Sequence, residues 1–196
     1  MKNFLKLTGL IIIAAFVLPA CGKKPSDDIN KAKVSVNALD QAGAGKYAYS
    51  EFNKLNDNLN AALDEISAQE KKFFKNFKYA KELLSQVVVD ADNLNVLLPA
   101  KIGAAKSNSE VLQVEAQIAV KNIEALLKKV NVNRNNKTNI DALKEELDSL
   151  MLSLLQIQSD METFDYISAS DQAQAIKEKA LGLSEQIDAE IAKARK

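Results

Sequence analysis

After residue 26, apolar side chains recur along almost the whole chain at alternating spacings of three and four. That spacing averages 3.5, the period of left-handed helix packing, and it predicts helices throughout. The first helix carries Ile29, Ala32, Val36 and Leu39, with Ser26, Asp27 or Asp28 as its N-cap. Gly43 and Gly45 end it. Ser50 is placed to cap a second helix bearing Phe52, Leu55, Leu59, Ala62 and Ile66. A third stripe runs through Phe77, Ala80, Leu84, Val87, Ala91, Leu94 and Leu98. The second and third stripes do not share one frame. The shift falls within residues 69–76, a tight turn or a stutter in one long helix.

Pro99 and Gly103 predict a break or kink, and residues 106–109 a connection. A fourth helix then starts near Ser109, with Leu112, Ala116, Ala119, Ile123, Leu126 and Val130 inward. The asparagine-rich residues 131–139 read as a loop. A fifth stripe follows: Ile140, Leu143, Leu147, Leu150, Leu154, Ile157, Met161 and Phe164. Residues 168–171 read as a turn, and Ala173, Ile176, Ala180, Leu183 and Ile187 mark the sixth helix. Val87, Val88 and Val89 lie in a heptad frame, so no strand is predicted.

The fold class is therefore all-α: an elongated antiparallel bundle of five to six helices with coiled-coil-like, tetratricopeptide-like hairpin packing. The helical domain spans residues 27–196. An internal echo divides it into two hairpin modules, 27–106 and 107–196. Leu55, Leu59, Ala62 and Ile66 align with Leu143, Leu147, Leu150 and Leu154 at a constant offset of 88. Two modules of one ancestry explain this, and so do two unrelated heptad helices.

The first twenty residues depart from this pattern. Lys2 and Lys6 precede an unbroken apolar run, residues 10–18, and a small residue, Ala20, stands before Cys21. A basic start, a short apolar core and a small-residue cleavage site describe a secretory signal peptide, residues 1–20. The run is too short for a membrane span, which takes ~20 residues. Leu18, Pro19, Ala20 and Cys21 resemble the lipobox of bacterial lipoproteins. Pro19 departs from the usual small or hydroxyl residue. The resemblance implies a diacylglyceryl group on the Cys21 thiol, cleavage before it, and a membrane anchored through acyl chains such as palmitate. The rival reading is an ordinary signal peptide with a chance cysteine. Residues 21–26 form a short polar tether. Gly22 stands where the inner-membrane retention signal of enteric bacteria has Asp, which favours the outer membrane; periplasm-facing and surface-exposed orientations stay open.

Composition narrows the chemistry. Losing Lys2 and Lys6 and no acid leaves 24 basic against 26 acidic residues, net −2, so there is no basic field for nucleic acid. There is no His, no Trp, and Cys21 is the only cysteine. Zinc, iron and copper lose their preferred ligands, and His-dependent nucleophilic catalysis is excluded. No cofactor, metal site or catalytic set is expected.

Residues 38–87 resemble a family of short helical modules of unknown function, found in bacterial envelope lipoproteins and beside OmpA-like peptidoglycan-binding domains. The residues that carry this are Ala38 to Ala44, then Lys46, Tyr47 and Ala48, then Ser50, Glu51 and Phe52, with Phe77 and Ala80 in the aromatic and small positions. Tyr49 replaces the family's proline. The resemblance implies tetratricopeptide-like packing and brings no catalytic residues.

The most suggestive internal segment is 71–79, where Phe73, Phe74, Phe77 and Tyr79 interleave with Lys71, Lys72, Lys75 and Lys78. Such a segment can lie on a membrane interface or stack on bases; the plainer reading buries Phe73, Phe77 and Ala80 and solvates the lysines. Tyr47 and Tyr49 are a binding patch or pack under a turn. The candidate interaction surface is Tyr47, Tyr49, Phe73, Phe74 and Tyr79. Asp90, Asp92 and Asn93 lack the glycine of a calcium loop. Asp64 with Glu65, and Glu145 with Glu146, are adjacent acids that splay apart on a helix. The chain is thus expected to be a non-enzymatic, lipid-anchored envelope protein that binds another envelope protein. A surface binder of host or environmental ligands is the alternative, and a carboxylate-based cell-wall enzyme is a third.

Overall fold

The computed structural model describes residues 22–193. It is an all-α bundle of six helices: α1 (Ser26–Gln41), α2 (Ala44–Tyr47), α3 (Tyr49–Glu70), α4 (Lys78–Leu127), α5 (Lys137–Glu162) and α6 (Tyr166–Lys193). The described residues contain no strand. The contacts divide into two compact units, which meet in sequence between Val96 and Leu97, inside α4.

The first unit comprises α1, α2, α3 and the start of α4. α1 packs on α3, with α2 closing the corner between them. Ala32, Val36 and Leu39 are buried on α1; Phe52, Leu55, Leu59, Ala62 and Ile66 on α3; Phe77, Ala80, Leu84, Val87, Ala91 and Leu94 at the α4 end. Each large aliphatic removed from water this way contributes roughly 1.5–3 kcal/mol, which outweighs the weak propensity of single residues. Gly43 follows α1 at φ 88, a left-handed value that a side chain would strain.

The second unit has one core shared by three helices. α4 supplies Ala116, Val120 and Ile123; α5 supplies Ile140, Leu143, Leu147, Leu150 and Ile157; α6 supplies Ala169, Ala173, Ile176, Ala180, Leu183 and Ile187. Leu112, Ala119, Leu126, Leu154 and Met161 are partly buried against it.

The two units bury their residues on one template. Ala32, Val36 and Leu39 match Ala116, Val120 and Ile123, 84 residues later. Phe52, Leu55, Leu59, Ala62 and Gln69 match Ile140, Leu143, Leu147, Leu150 and Ile157, 88 later. Phe77, Ala80, Leu84, Val87, Ala91 and Leu94 match Tyr166, Ala169, Ala173, Ile176, Ala180 and Leu183, 89 later. α4 thus supplies the third stripe of the first unit and the first stripe of the second.

Several local expectations are corrected. Pro99, Gly103 and residues 106–109 do not interrupt the chain: α4 runs through all of them, so no separate helix starts at Ser109. Leu94 and Leu98 are buried just before Pro99, and Ser109 and Ala116 after it. Tertiary packing overrides the local breaker signal. Ser109 is buried; its Oγ donates to the Lys106 carbonyl at 2.7 Å and lies 3.0 Å from Met161 Sδ.

The caps differ as well. Pro25, not Ser26, Asp27 or Asp28, stands at the N-cap of α1, and the two aspartates sit in its first turn, where they favour the helix dipole. Ala48, not Ser50, precedes α3. The asparagine loop stops at Asn136, since α5 starts at Lys137. Residues 168–171 are helical, and the chain turns earlier, at residues 163–165. Phe164 leaves the predicted stripe: it is exposed at φ 61. Its N–H bonds the Met161 carbonyl and the Asp165 N–H the Asp160 carbonyl, the paired bonds that terminate a helix through a left-handed residue. Asp165 Oδ1 then accepts from the Ser168 N–H and opens α6.

Candidate functional site: the turn between α3 and α4

The uncertain frame shift resolves as a turn. α3 ends at Glu70 and α4 starts at Lys78. Gln69 organises this turn from inside. It continues the α3 stripe three residues after Ile66 and is buried. Its Nε2 donates to Glu65 Oε1 at 2.7 Å, and its Oε1 accepts from the Asn76 N–H at 3.2 Å. Asn76 Oδ1 in turn accepts from the N–H of Lys78, the first residue of α4, at 3.0 Å. A buried amide with both ends satisfied fixes where the chain crosses between the helices.

That geometry sorts the aromatics. Phe77 and Ala80 are buried, as the packing reading requires, but Phe73 is not: it is 86% exposed. Phe74 beside it is 67% exposed and Tyr79 58%. The Phe73 and Phe74 rings meet edge to face, with centroids 4.9 Å apart. They occupy the bulge between Gln69 and Asn76, outside the helical frame, so neither faces the core. Two adjacent exposed phenylalanines form an apolar tip of a kind that marks interaction sites. Lys71, Lys72 and Lys78 around them are exposed. Residues 71–81 hold five lysines and no acid, against a chain of zero net charge.

The segment before α1 is held at the same turn. The Gly22 N–H donates to the Lys75 carbonyl at 3.4 Å. A Cβ on Gly22 would stand 3.1 Å from that oxygen and 3.3 Å from the Phe77 ring, so the close approach depends on glycine. Lys24 Nζ lies 2.9 Å from Glu70 Oε1, and Pro25 is buried. Within the short polar tether expected at residues 21–26, Gly22, Lys24 and Pro25 are held against the turn or buried. Cys21 and the signal-like residues 1–20 lie outside the described residues.

The five aromatic residues proposed as one surface fall at two places. Tyr47 and Tyr49 lie where α3 starts, Tyr47 half-buried and Tyr49 exposed. Phe73, Phe74 and Tyr79 lie past its other end. Twenty-two helical residues at 1.5 Å each separate the two groups by about 33 Å. The sequence reading missed Gln69 and Gly22. Gln69 carried a signal, a polar residue in the next stripe position; Gly22 carried none.

Other polar groups are accounted for locally. Asp90 Oδ1 accepts from Gln86 Nε2 within helix α4. Glu190, buried on α6, accepts from Lys193 Nζ at 2.7 Å. That bond holds its carboxyl below the ordinary range; burial pushes the other way, and Asn139 helps the lowering. The cleft around it is lined by Asn139, Leu143, Glu146, Gln186 and Lys193. Among the described residues no group of three or more His, Cys, Asp or Glu could hold a metal ion, and no helix is long and apolar enough to cross a membrane. Comparison with known proteins finds no matching family model, no matching curated protein and no matching solved structure.

Proposed function

We propose that this chain is a lipid-anchored protein of the bacterial envelope that acts without catalysis, as a helical module in an assembly with another envelope protein. The observation that carries the reading is the run Leu18, Pro19, Ala20 and Cys21 behind a basic start and a nine-residue apolar core. Two acyl chains at ~0.8 kcal/mol per buried methylene suffice for stable attachment, so no spanning helix is needed. The docking of Gly22 on Lys75 supports a bundle kept close to its anchor. Gly22 in place of Asp favours the outer membrane.

The test compares the wild-type chain with Cys21→Ala in intact cells, by membrane fractionation and by crosslinked pull-down. Wild type is expected in the membrane fraction with a defined envelope partner; Cys21→Ala loses both. Equal membrane partition of the two would overturn the anchor. Digestion of the wild type by external protease, with no envelope partner crosslinked, would replace the assembly role with that of a surface binder.

A further inference from the structure

Resting on the lipid-anchored reading, we propose that the α3–α4 turn is a foot that stands on the anionic phospholipid surface holding the anchor. Phe73 and Phe74 enter the headgroup–acyl boundary, and Lys71, Lys72, Lys75 and Lys78 meet the headgroup phosphates. Three independent observations converge here. The first is covalent. Consecutive Cα atoms are 3.8 Å apart across a trans peptide, and the Gly22 N–H donates a hydrogen bond to the Lys75 carbonyl. A lipid on Cys21 is therefore tethered at this turn and not at the distant Tyr47–Tyr49 end. The second is the paired exposure of Phe73 and Phe74, which costs nothing in a fold whose water-facing tip enters lipid. The third is charge: residues 71–81 hold five lysines and no acid, and although Glu70 and Glu82 flank them, Glu70 pairs with Lys24 and only Lys78 reaches Glu82, at 3.9 Å, so a net positive charge complements an anionic surface.

The second unit provides the internal contrast. Its corresponding connection, residues 163–165, is Thr, Phe and Asp, short and without a lysine. One exposed ring without surrounding cations does not make an interfacial anchor. The α4–α5 connection also carries Lys128, Lys129 and Arg134 without an acid, but it has no aromatic residue; exposed rings and lysines occur together only at the connection beside Gly22 among these turns.

The natural absence of tryptophan supplies the test. Phe73→Trp and, separately, Tyr49→Trp are introduced into the full acylated protein, both at exposed positions. Each is reconstituted in phosphatidylglycerol–phosphatidylethanolamine vesicles with brominated acyl chains. An interfacial side chain sits within ~5–10 Å of the acyl boundary, so quenching at position 73 should exceed that at position 49 about threefold. Neutralising the four lysines (Lys→Gln at 71, 72, 75 and 78), or raising salt, should weaken the quenching while the acyl chains keep the protein on the vesicle. Acylated protein with equal quenching at both positions overturns the foot alone. Emission at position 73 that is shielded without vesicles points to a protein contact there and also overturns it. Mass spectrometry that finds no acyl group on Cys21 removes the anchor and the foot together.

Discussion

In the first unit, seven residues, 71–77, join α3 to α4; in the second, three residues, 163–165, join α5 to α6. The helices on either side bury closely matching stripes at offsets of 88 and 89, with buried Ile66 facing a partly buried Leu154 at the same place. What differs is the content of the connection. The longer one is closed by Gln69 from the last turn of α3, exposes the Phe73–Phe74 pair, carries lysines and receives the docked Gly22. The shorter one holds a helix stop and a cap. Heptad spacing is shared because any three helices that close a core need it. The turn is where this chain departs from that common requirement.

The sharpest way to break the comparison is to truncate matched core positions. Leu94 and Leu183 occupy the same place on the template and are both buried. Leu94→Ala and Leu183→Ala should each cost about 2–5 kcal/mol by urea unfolding. If either cost fell below about 1 kcal/mol, within the range of surface changes, matched burial would not mean matched stability.

Next in size are the helix breakers. Pro99 is exposed inside α4 and lacks the N–H that its helical position would donate. Pro99→Ala should stabilise by about 1–3 kcal/mol, read as an upward shift of the denaturation midpoint. A loss of stability would show that the bundle uses the proline's geometry. Gly103 and Gly182 have open space where a Cβ would go. Alanine at either should add about 0.5–1 kcal/mol, both sites lying in the second unit.

A third pair contrasts two left-handed helix stops. Gly43 at φ 88 suits its position, while Phe164 at φ 61 does not. Gly43→Ala should destabilise by about 1 kcal/mol, and Phe164→Gly should stabilise by a similar amount. Thermal melts of both variants measure this directly. Stabilisation by Gly43→Ala would contradict the assigned strain.

The smallest effect is electrostatic and confined to the second unit. Glu190 has its carboxyl lowered chiefly by the hydrogen bond from Lys193. A lowered folded-state value means the contribution is complete above the unfolded carboxylate range and is lost as pH falls through the folded value. Lys193→Gln should move the Glu190 titration upward in a carboxyl-resolved NMR experiment. An unchanged titration would assign the lowering to another group.

Much of the fold was legible in the sequence, and the physical reason is periodicity. The stripe from Phe77 to Leu98 and the stripe from Ala173 to Ile187 are buried as read. The errors occurred where local signals competed with packing. Pro99 and residues 106–109 look like a break, yet α4 runs on through them, with Leu98 buried before and Ser109 after. Phe164 continues the α5 spacing by number, but a left-handed residue ends the helix before the ring can turn inward. At the candidate site, the lysine–aromatic run was visible, whereas its state was not. Whether Phe73 packs or projects depends on Gln69 and Asn76 closing the bulge, a tertiary arrangement that no spacing rule encodes. The approach of Gly22 to Lys75 joins residues 53 apart in sequence and left no local trace.

The proposed attachment of the chain to a membrane runs through Cys21. Tandem mass spectrometry of the N-terminal peptide, from protein extracted with its native membrane, tests it most directly. The expected result is a peptide that starts at Cys21 with a diacylglyceryl thioether on its sulfur. A peptide that starts elsewhere, or Cys21 recovered as a free thiol, would contradict it.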